Sequence, residues 1–369
     1  MDKFLIDSHK LMYHPDRVAD LIDAKRDWSK HKKLRPIYAE ISSSGACNHR
    51  CTFCSVDYIG YKKVFLDRQV LLRFFESSSK IGLKAVMFAG DGEPLLNPEI
   101  IDIVNDARLF NIDTSFTTNG VYITENFIEQ ALEKVSWIKV SLNAGDQDTY
   151  EKIHRTNKND FNRVWTNLSK AVKAKDDSKG KIKTALGVQS LILPDNIKSL
   201  DELAKRSRDT GLNYIVLKPY VHNVYMKQEG YNDIDYTEKQ YKNTLAELRS
   251  KYETSDFTVV ARDNALAKLV GEQERYTTCW STPALWFYIS GDGSVYGCGA
   301  HVGNPNFLLG NIKESPMSDI WESKSRQKCL DYVQDDLDLS SCRRTCRMDE
   351  VNAYLSRLIN NETDHVNFI

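Results

Sequence analysis

The sequence predicts an α/β protein in which a parallel sheet carries helices on its outside, followed by a small β-hairpin and helix domain. Six short apolar, β-branched runs occupy residues 37–43, 85–89, 114–118, 137–142, 183–193 and 214–219. Segments of helical spacing separate them, at 67–81, 98–110, 124–134, 160–173 and 197–210. This alternation favours parallel pairing, because successive parallel strands need a long crossover connection. After residue 275 the pattern changes to a hairpin and a helix.

The length of 369 residues predicts one large domain with smaller additions. The predicted units are a helical extension (1–36), the α/β domain (37–225), a helical bridge (226–275), a cysteine-bearing domain (276–350) and a C-terminal helix and tail (351–369).

Composition excludes several classes of protein. The net charge is -1, without a basic low-complexity stretch, which argues against nucleic acid or an anionic membrane as the main partner. No window approaches the ~18 apolar residues of a membrane span. The N-terminus is too charged for a secretory signal, so we expect a cytoplasmic protein. Its eight cysteines are then expected to be metal ligands or reactive groups rather than disulfides.

Three of these cysteines, Cys47, Cys51 and Cys54, follow the first predicted strand with the spacing C-x3-C-x2-C. A purely structural zinc ion or cubane cluster takes four protein ligands, so a trio suggests a [4Fe–4S] cluster with one open iron. Two other interpretations stay open: His49 completes a zinc site, or the cysteines are buried small hydrophobes.

This spacing, with Phe53 before the third cysteine, resembles the signature of the radical S-adenosylmethionine (SAM) superfamily. The resemblance implies that the three cysteines bind the cluster and that SAM chelates its fourth iron. Reductive cleavage of SAM would yield a 5′-deoxyadenosyl radical that takes hydrogen from the substrate. It also implies a partial (β/α)6 TIM-like barrel with its active site at the C-terminal strand ends.

Two turns resemble the SAM-contacting loops of that family. Gly90, Gly92 and Glu93 look like a GGE-type motif with Asp91 inserted, where glycines admit a ligand and the carboxylate accepts from the SAM ammonium. Thr118-Asn119 offers polar groups after the third strand. A plain Gly/Pro-rich turn is the other interpretation of the first loop.

The fourth strand ends in a segment similar to one in SPASM/twitch-type radical SAM enzymes. There Ser141 and Asn143 would bind the SAM ribose, and Arg155 its carboxylate. Alternatively, Asn143 or Asp146 caps the next helix and Arg155 is solvated.

Later strands add three candidates. Gln189 and Ser190 lie where the family contacts adenine and ribose. Lys218 ends the sixth strand and is a candidate to bind a substrate hydroxyl or phosphate or to take a proton, unless it pairs with a carboxylate at the rim.

A second cysteine group follows. Cys279 and Cys298 flank a predicted hairpin, and Cys342 and Cys346 follow a helix. Their pattern resembles the twitch domain, a shortened SPASM domain with one auxiliary [4Fe–4S] cluster, which four thiolates would close. A zinc site is the alternative. Cys329 remains, as a buried helix cysteine, a hydrogen-donating thiol of the kind radical SAM epimerases require, or a replacement ligand.

The resemblance implies a small-molecule substrate. We favour oxidation of a hydroxyl carbon in a sugar or sugar-nucleotide, with the auxiliary cluster as electron acceptor and a flavodoxin- or ferredoxin-type reductant. Epimerisation of a sugar or peptide is the alternative, although residues 1–36 are shorter than the family's leader-peptide domain. A non-catalytic metal-binding or electron-transfer protein is a further hypothesis.

Overall fold

The structure is a computed structural model that describes residues 3–271, 275–360 and 364–368. The predicted extension, bridge and tail each include a few residues outside this set. The strands are β1 Tyr38–Ile41, β2 Ala85–Phe88, β3 Asp113–Thr118, β4 Val135–Ser141, β5 Ala185–Ile192, β6 Tyr214–Pro219, β7 Thr258–Ala261, β8 Trp286–Ile289, β9 Ser294–Tyr296 and β10 Leu308–Asn311. They form one sheet in the order β10-β9-β8-β1-β2-β3-β4-β5-β6-β7.

Helices cover the outer face of this sheet. They are α1 Pro15–Ala24, α2 Trp28–His31, α3 Arg68–Lys80, α4 Ile100–Leu109, α5 Glu125–Gln130, α6 Gln147–His154, α7 Asn159–Asp177, α8 Leu200–Asp209, α9 Lys239–Tyr252, α10 Asp263–Val270, α11 Met317–Trp321, α12 Lys324–Asp335 and α13 Asp349–Ile359. Side chains cap several of them: Asp146 accepts from the Thr149 N–H at 2.8 Å and so begins α6.

The strands β1 to β7 are mutually parallel, so their carboxyl ends meet at one edge of the sheet. Side chains alternate between the helix-covered face and the interior of the curved sheet. Val86, Phe88 and Phe116 are fully buried under the helices, as the apolar, β-branched runs predict. The α/β class with a parallel sheet is confirmed, and the six predicted strands are found within a few residues of their predicted bounds.

Two features differ from the prediction. The segment predicted as a helical bridge contains β7, which pairs with β6 and extends the sheet. Its four residues are too few to show a period in the sequence. The cysteine hairpin is not a separate sheet, because β8 pairs in parallel with β1, with Trp286 opposite Tyr38. Periodicity cannot reveal a pairing partner so far away along the chain.

Within the described residues, no helix combines the length and the apolar character needed to cross a membrane.

Candidate active site

The N-terminal cysteine loop begins directly after β1. Cys47, Cys51 and Cys54 are half-buried free thiols. Burial raises the pKa of all three, and the nearby Cys47 and Cys54 sulfurs further raise that of Cys51. The three sulfurs therefore converge in a poorly solvated place that favours thiolates only when a cation neutralises them. This donor set fits an iron–sulfur cluster.

His154 fixes one of these cysteines. The Asn143 backbone N–H donates to His154 Nε2 at 3.1 Å, so Nε2 carries no proton. The ring proton then lies on Nδ1, which is 3.3 Å from Cys51 Sγ. Burial holds the pKa of His154 well below its usual value, which keeps the ring neutral. His154 is thus placed to donate an N–H···S hydrogen bond to Cys51 rather than to bind metal itself.

His49 lies close to Cys51 and His154. Its Nε2 is 3.5 Å from Asp160 Oδ2, and burial lowers its pKa to about 4. The ligand atoms of His49, Cys51 and His154 lie within 4.8 Å of one another. The zinc interpretation has this geometric basis, but the hydrogen bonding of His154 leaves that ring without a free lone pair.

Glu93 joins the ends of β2 and β3. Its carboxylate accepts hydrogen bonds from Thr118 Oγ1 at 2.6 Å and from the Asn119 N–H at 2.7 Å. Burial raises its pKa to about 7. A Cβ on neighbouring Gly92 would lie 2.2 Å from the Ala46 carbonyl oxygen, so the loop must pass the cysteine segment without a side chain. The structure brings these predicted residues together beside the cysteine loop.

Gly90 and the inserted Asp91 contact the C-terminal hairpin. Asp91 accepts from the Tyr288 hydroxyl at 2.5 Å, the Ser290 hydroxyl at 2.6 Å and the Gly291 N–H at 2.9 Å. A Cβ on Gly90, whose φ is +113°, would lie 2.2 Å from the Tyr288 hydroxyl oxygen. The insertion therefore ties the β2 loop to β8, a role that the sequence pattern did not indicate.

The residues predicted to contact the ribose and adenine of SAM differ in their burial and in the direction that their side chains face. The buried Asn143 Oδ1 accepts from the Leu191 N–H at 2.7 Å and so links β4 to β5. Ser141 is half-buried, with Oγ 3.5 Å from Asn143 Nδ2. Gln189 faces the interior cavity, whereas alternation turns the fully buried Ser190 toward the helices, where its hydroxyl donates to the Leu191 carbonyl.

Phe53 lies within the cysteine loop, and Arg155 directly follows His154. The Phe53 ring lies edge-on to His154, with centroids 5.6 Å apart, and packs in an apolar cluster with Leu191 and Tyr220. Arg155 is exposed and ends α6 in the left-handed conformation, with φ +46°.

The four remaining predicted ligands converge in the C-terminal domain. The pKa of Cys298 is raised well above its usual value by burial and then by the charges of Cys346, Cys279 and Cys342. The Asn352 side-chain amide donates to Cys279 Sγ at 3.4 Å. Four sulfurs that influence one another in this way fit a fully coordinated cluster.

One cavity of about 290 Å³ extends from the C-terminal cysteines to the end of the N-terminal cysteine loop. All four C-terminal cysteines line it, as do Ser55 and Val56, which directly follow Cys54. Gly90 and Gln189 line it from the sheet. The cavity therefore lies inside the curved sheet, beside the strand ends where barrels of this kind hold their active sites.

Two lysines face this cavity. Lys218 on β6 was predicted, while Lys139 on β4 was missed; its only signal is a lysine at an inward position of the buried run VSWIKVS. Burial lowers the pKa of both, that of Lys139 to about 7, and the charge of Lys139 lowers that of Lys218 further. In the part of the chain that the structure describes, no carboxylate forms an ion pair with Lys218, so the rim pairing considered for it is not observed.

Cys329 lies behind the cavity wall, close to Cys279 and to Gly297. It is on α12, fully buried in the main core, and a Cβ on Gly297 would lie 3.0 Å from its sulfur. Burial raises its pKa to about 12. Among the residues that the structure describes, it is not part of the cavity wall, so the structure places it as a core side chain.

A parallel α/β sheet with a three-cysteine loop after its first strand, and four more cysteines beside the same cavity, defines a protein with two iron–sulfur sites. Comparison with known families agrees: residues 41–206 match the radical SAM superfamily, and residues 279–347 match the SPASM family of iron–sulfur cluster-binding domains. The chain thus belongs to the radical SAM superfamily and carries a SPASM/twitch domain. It is a radical SAM enzyme, and the two domains imply SAM and two [4Fe–4S] clusters.

Known relatives differ in their described activities. The chain is 22% identical over 306 residues to the tungsten-containing aldehyde ferredoxin oxidoreductase cofactor-modifying protein of Pyrococcus furiosus, over 79% of this chain and 82% of that protein. It is 29% identical over 127 residues to an S-adenosylmethionine-dependent nucleotide dehydratase of Flammeovirga pacifica, over 33% of this chain and 43% of that protein.

A solved structure shares the fold. The structure of Streptococcus suis SuiB bound to S-adenosylmethionine has a TM-score of 0.62 and 16% identity, over 85% of this chain and 70% of SuiB.

Proposed function

We propose that the protein oxidises a hydroxyl carbon of a small molecule, a sugar or sugar-nucleotide. Cys47, Cys51 and Cys54 would hold a cluster that, with SAM, would supply a 5′-deoxyadenosyl radical for hydrogen abstraction at that carbon. Cys279, Cys298, Cys342 and Cys346 would hold the auxiliary cluster, which would supply an acceptor for the remaining electron. The hydroxyl proton passes to a base, so that a CH–OH group becomes C=O. A flavodoxin- or ferredoxin-type reductant delivers the electron that starts each turnover.

The observation that carries this proposal is a cavity that is lined by the four C-terminal cysteines and reaches Ser55, the residue next to Cys54. A substrate there would touch the wall formed by Cys279, Cys298, Cys342 and Cys346 while its other side faces Ser55 and the cysteine loop. Such a position supports direct electron transfer from the substrate to the auxiliary site.

Lys218 is the proposed base. Its side chain faces the cavity from the C-terminal part of β6, the strand end nearest the SAM-binding loops. Burial and neighbouring cations lower its pKa well below the usual value, which favours the neutral amine that can take a proton.

Epimerisation has less support. It requires a thiol that returns hydrogen to the substrate, and Cys329 is fully buried and does not line the described cavity. The thiols on that wall are the four proposed cluster ligands. The nucleotide named in the dehydratase relative supports a nucleotide-linked substrate rather than a peptide.

Anaerobic reconstitution tests the proposal. We expect about eight irons per chain, as two cubane clusters require, and formation of 5′-deoxyadenosine after reduction. With sugar-nucleotides as candidate substrates in deuterated solvent, we expect a ketone and no deuterium at the attacked carbon. Product with deuterium at that carbon, and loss of turnover in Cys329→Ala, would instead establish epimerisation.

A further inference from the structure

The cavity wall carries more positive than negative side chains. Its cations are Lys139, Lys218, Arg262, Arg275, Arg343 and Arg347. Its carboxylates, among the residues that the structure describes, are Glu40 and Glu350. Their pairing decides which cations remain available to a ligand.

Several of these charges are already balanced. Arg347 pairs with Glu40 at 3.1 Å, and Arg262 pairs with Asp7 at 3.1 Å. Glu350 pairs with Lys268, outside the cavity wall. These groups contribute little net charge to the cavity.

The arginines of the cysteine segment are also accounted for. Arg275 donates to the backbone carbonyl oxygens of Leu339, Cys342 and Arg343, and so braces the ligand-bearing loop. Arg343 forms no ion pair with a described residue, and its buried Nε has no hydrogen-bond partner there. It directly follows Cys342 and lies near the Cys346 and Cys298 sulfurs, so the thiolates of the auxiliary site would balance its charge.

Lys139 and Lys218 are the cavity-wall lysines that are left after these balanced groups are set aside. Within the described part of the chain neither makes an ion pair, and Lys139 Nζ lies 5.3 Å from the centre of the Trp137 ring. The register sets their depths: Lys139 pairs with Gly187 in mid-strand, whereas Lys218 is the second-last residue of β6. Lys139 therefore lies deeper in the curved sheet, and Lys218 lies closer to the strand ends.

An unpaired ammonium group is costly to bury, and it persists most readily where it serves a ligand of opposite charge. We infer that the substrate carries an anionic group, a phosphate or a carboxylate, that binds at Lys139 deep in the cavity. The reacting carbon then lies toward the strand ends, beside Lys218. This inference rests on the proposed function, whose reaction leaves that anionic group unchanged.

Binding of the anion is coupled to protonation. Burial lowers the pKa of Lys139 to about 7, so the group is only partly protonated at pH 7. The charged or titratable groups near it are Arg347, Arg262, Glu40 and Lys218. A bound anion stabilises its charged form, so binding takes up protons and weakens as the pH rises.

Calorimetry on the reconstituted holoprotein tests this inference, with orthophosphate and acetate as separate probes at constant ionic strength and pH 7. We expect saturable binding of at least one anion, with one site per chain, and the stronger probe identifies phosphate or carboxylate. Lys139→Gln should weaken it by about tenfold or more, as loss of a charge-assisted hydrogen bond predicts. Lys139→Arg should retain it, and Lys181→Gln, an equal charge change on an exposed loop residue, should have no effect.

Absence of saturable binding for both probes, or equal affinity in Lys139→Gln and the unsubstituted protein, would overturn the inference. The two proposals fail separately, because formation of 5′-deoxyadenosine without substrate does not need Lys139. A holoprotein that cleaves SAM but binds neither anion loses only the inference, whereas one that cannot cleave SAM loses the proposed function.

Discussion

At the scale of single residues, the hydrogen bonds of His154 link Asn143, at the end of β4, to Cys51 in the cysteine loop. The Asn143 N–H donates to Nε2, so the ring proton lies on Nδ1, which faces the Cys51 sulfur. Hydrogen bonds to cluster sulfurs raise the reduction potential, because they stabilise the added negative charge. His154 is therefore a positioning residue for the N-terminal cluster.

His154→Phe should lower the midpoint potential of this cluster, since the ring shape is kept and the N–H donor is lost. A redox titration followed by electron paramagnetic resonance (EPR) measures it. The auxiliary cluster is the internal control, and its potential should not change. An unaltered potential at the N-terminal cluster would refute the hydrogen bond to Cys51.

Lys139 makes stability depend on pH. Its pKa is lowered to about 7 in the folded protein, against roughly 10.4 in an unfolded chain. Between these values the unfolded state binds more protons, so the free energy of unfolding rises with pH. The cost of burying the charged Lys139 side chain is present in full below pH 7 and disappears near pH 10.

Lys139→Gln should therefore raise the melting temperature at pH 7 and have progressively less effect toward pH 10. Thermal unfolding of both holoproteins across this range measures the difference. A constant difference between the two proteins would show that Lys139 does not titrate in this window.

At the scale of elements, Gly92 lets the loop after β2 pass close to the cysteine loop after β1. Gly92→Ala should displace the cysteine loop, because its Cβ would lie 2.2 Å from the Ala46 carbonyl oxygen. We expect fewer irons per chain and weaker SAM binding after reconstitution. Gly230→Ala is the matched control, since its Cβ would meet no atom within 4 Å. Equal iron content in both variants would contradict the close packing at Gly92.

Asp91 joins the β2 loop to the C-terminal hairpin. Asp91→Ala leaves two buried hydroxyls and one N–H without their acceptor, so we expect a loss of about 3 kcal/mol in the free energy of unfolding. Asp292→Asn, at an exposed turn of the same hairpin, should change it by less than about 0.5 kcal/mol. Denaturant unfolding of both variants decides whether Asp91 holds the two units together.

At the scale of the whole molecule, periodicity and residue spacing predicted only features that depend on short stretches of sequence. Strands β1 to β6 and the two cysteine groups follow from periodicity and spacing within short windows. The pairing of β8 with β1, the partners of Asp91 and the position of Lys139 in the cavity depend on contacts between distant parts of the chain. Ser190 and Gln189 are neighbours in sequence, but only the register shows which of them faces the cavity.

We propose that the cluster bound by Cys47, Cys51 and Cys54 has an open iron to which SAM binds. The most direct measurement is EPR of the reduced N-terminal cluster, in a Cys342→Ala/Cys346→Ala variant that lacks the auxiliary cluster, with and without SAM. We predict about four irons per chain and a spectrum that changes when SAM is added. An identical spectrum in the presence and absence of SAM would contradict the account.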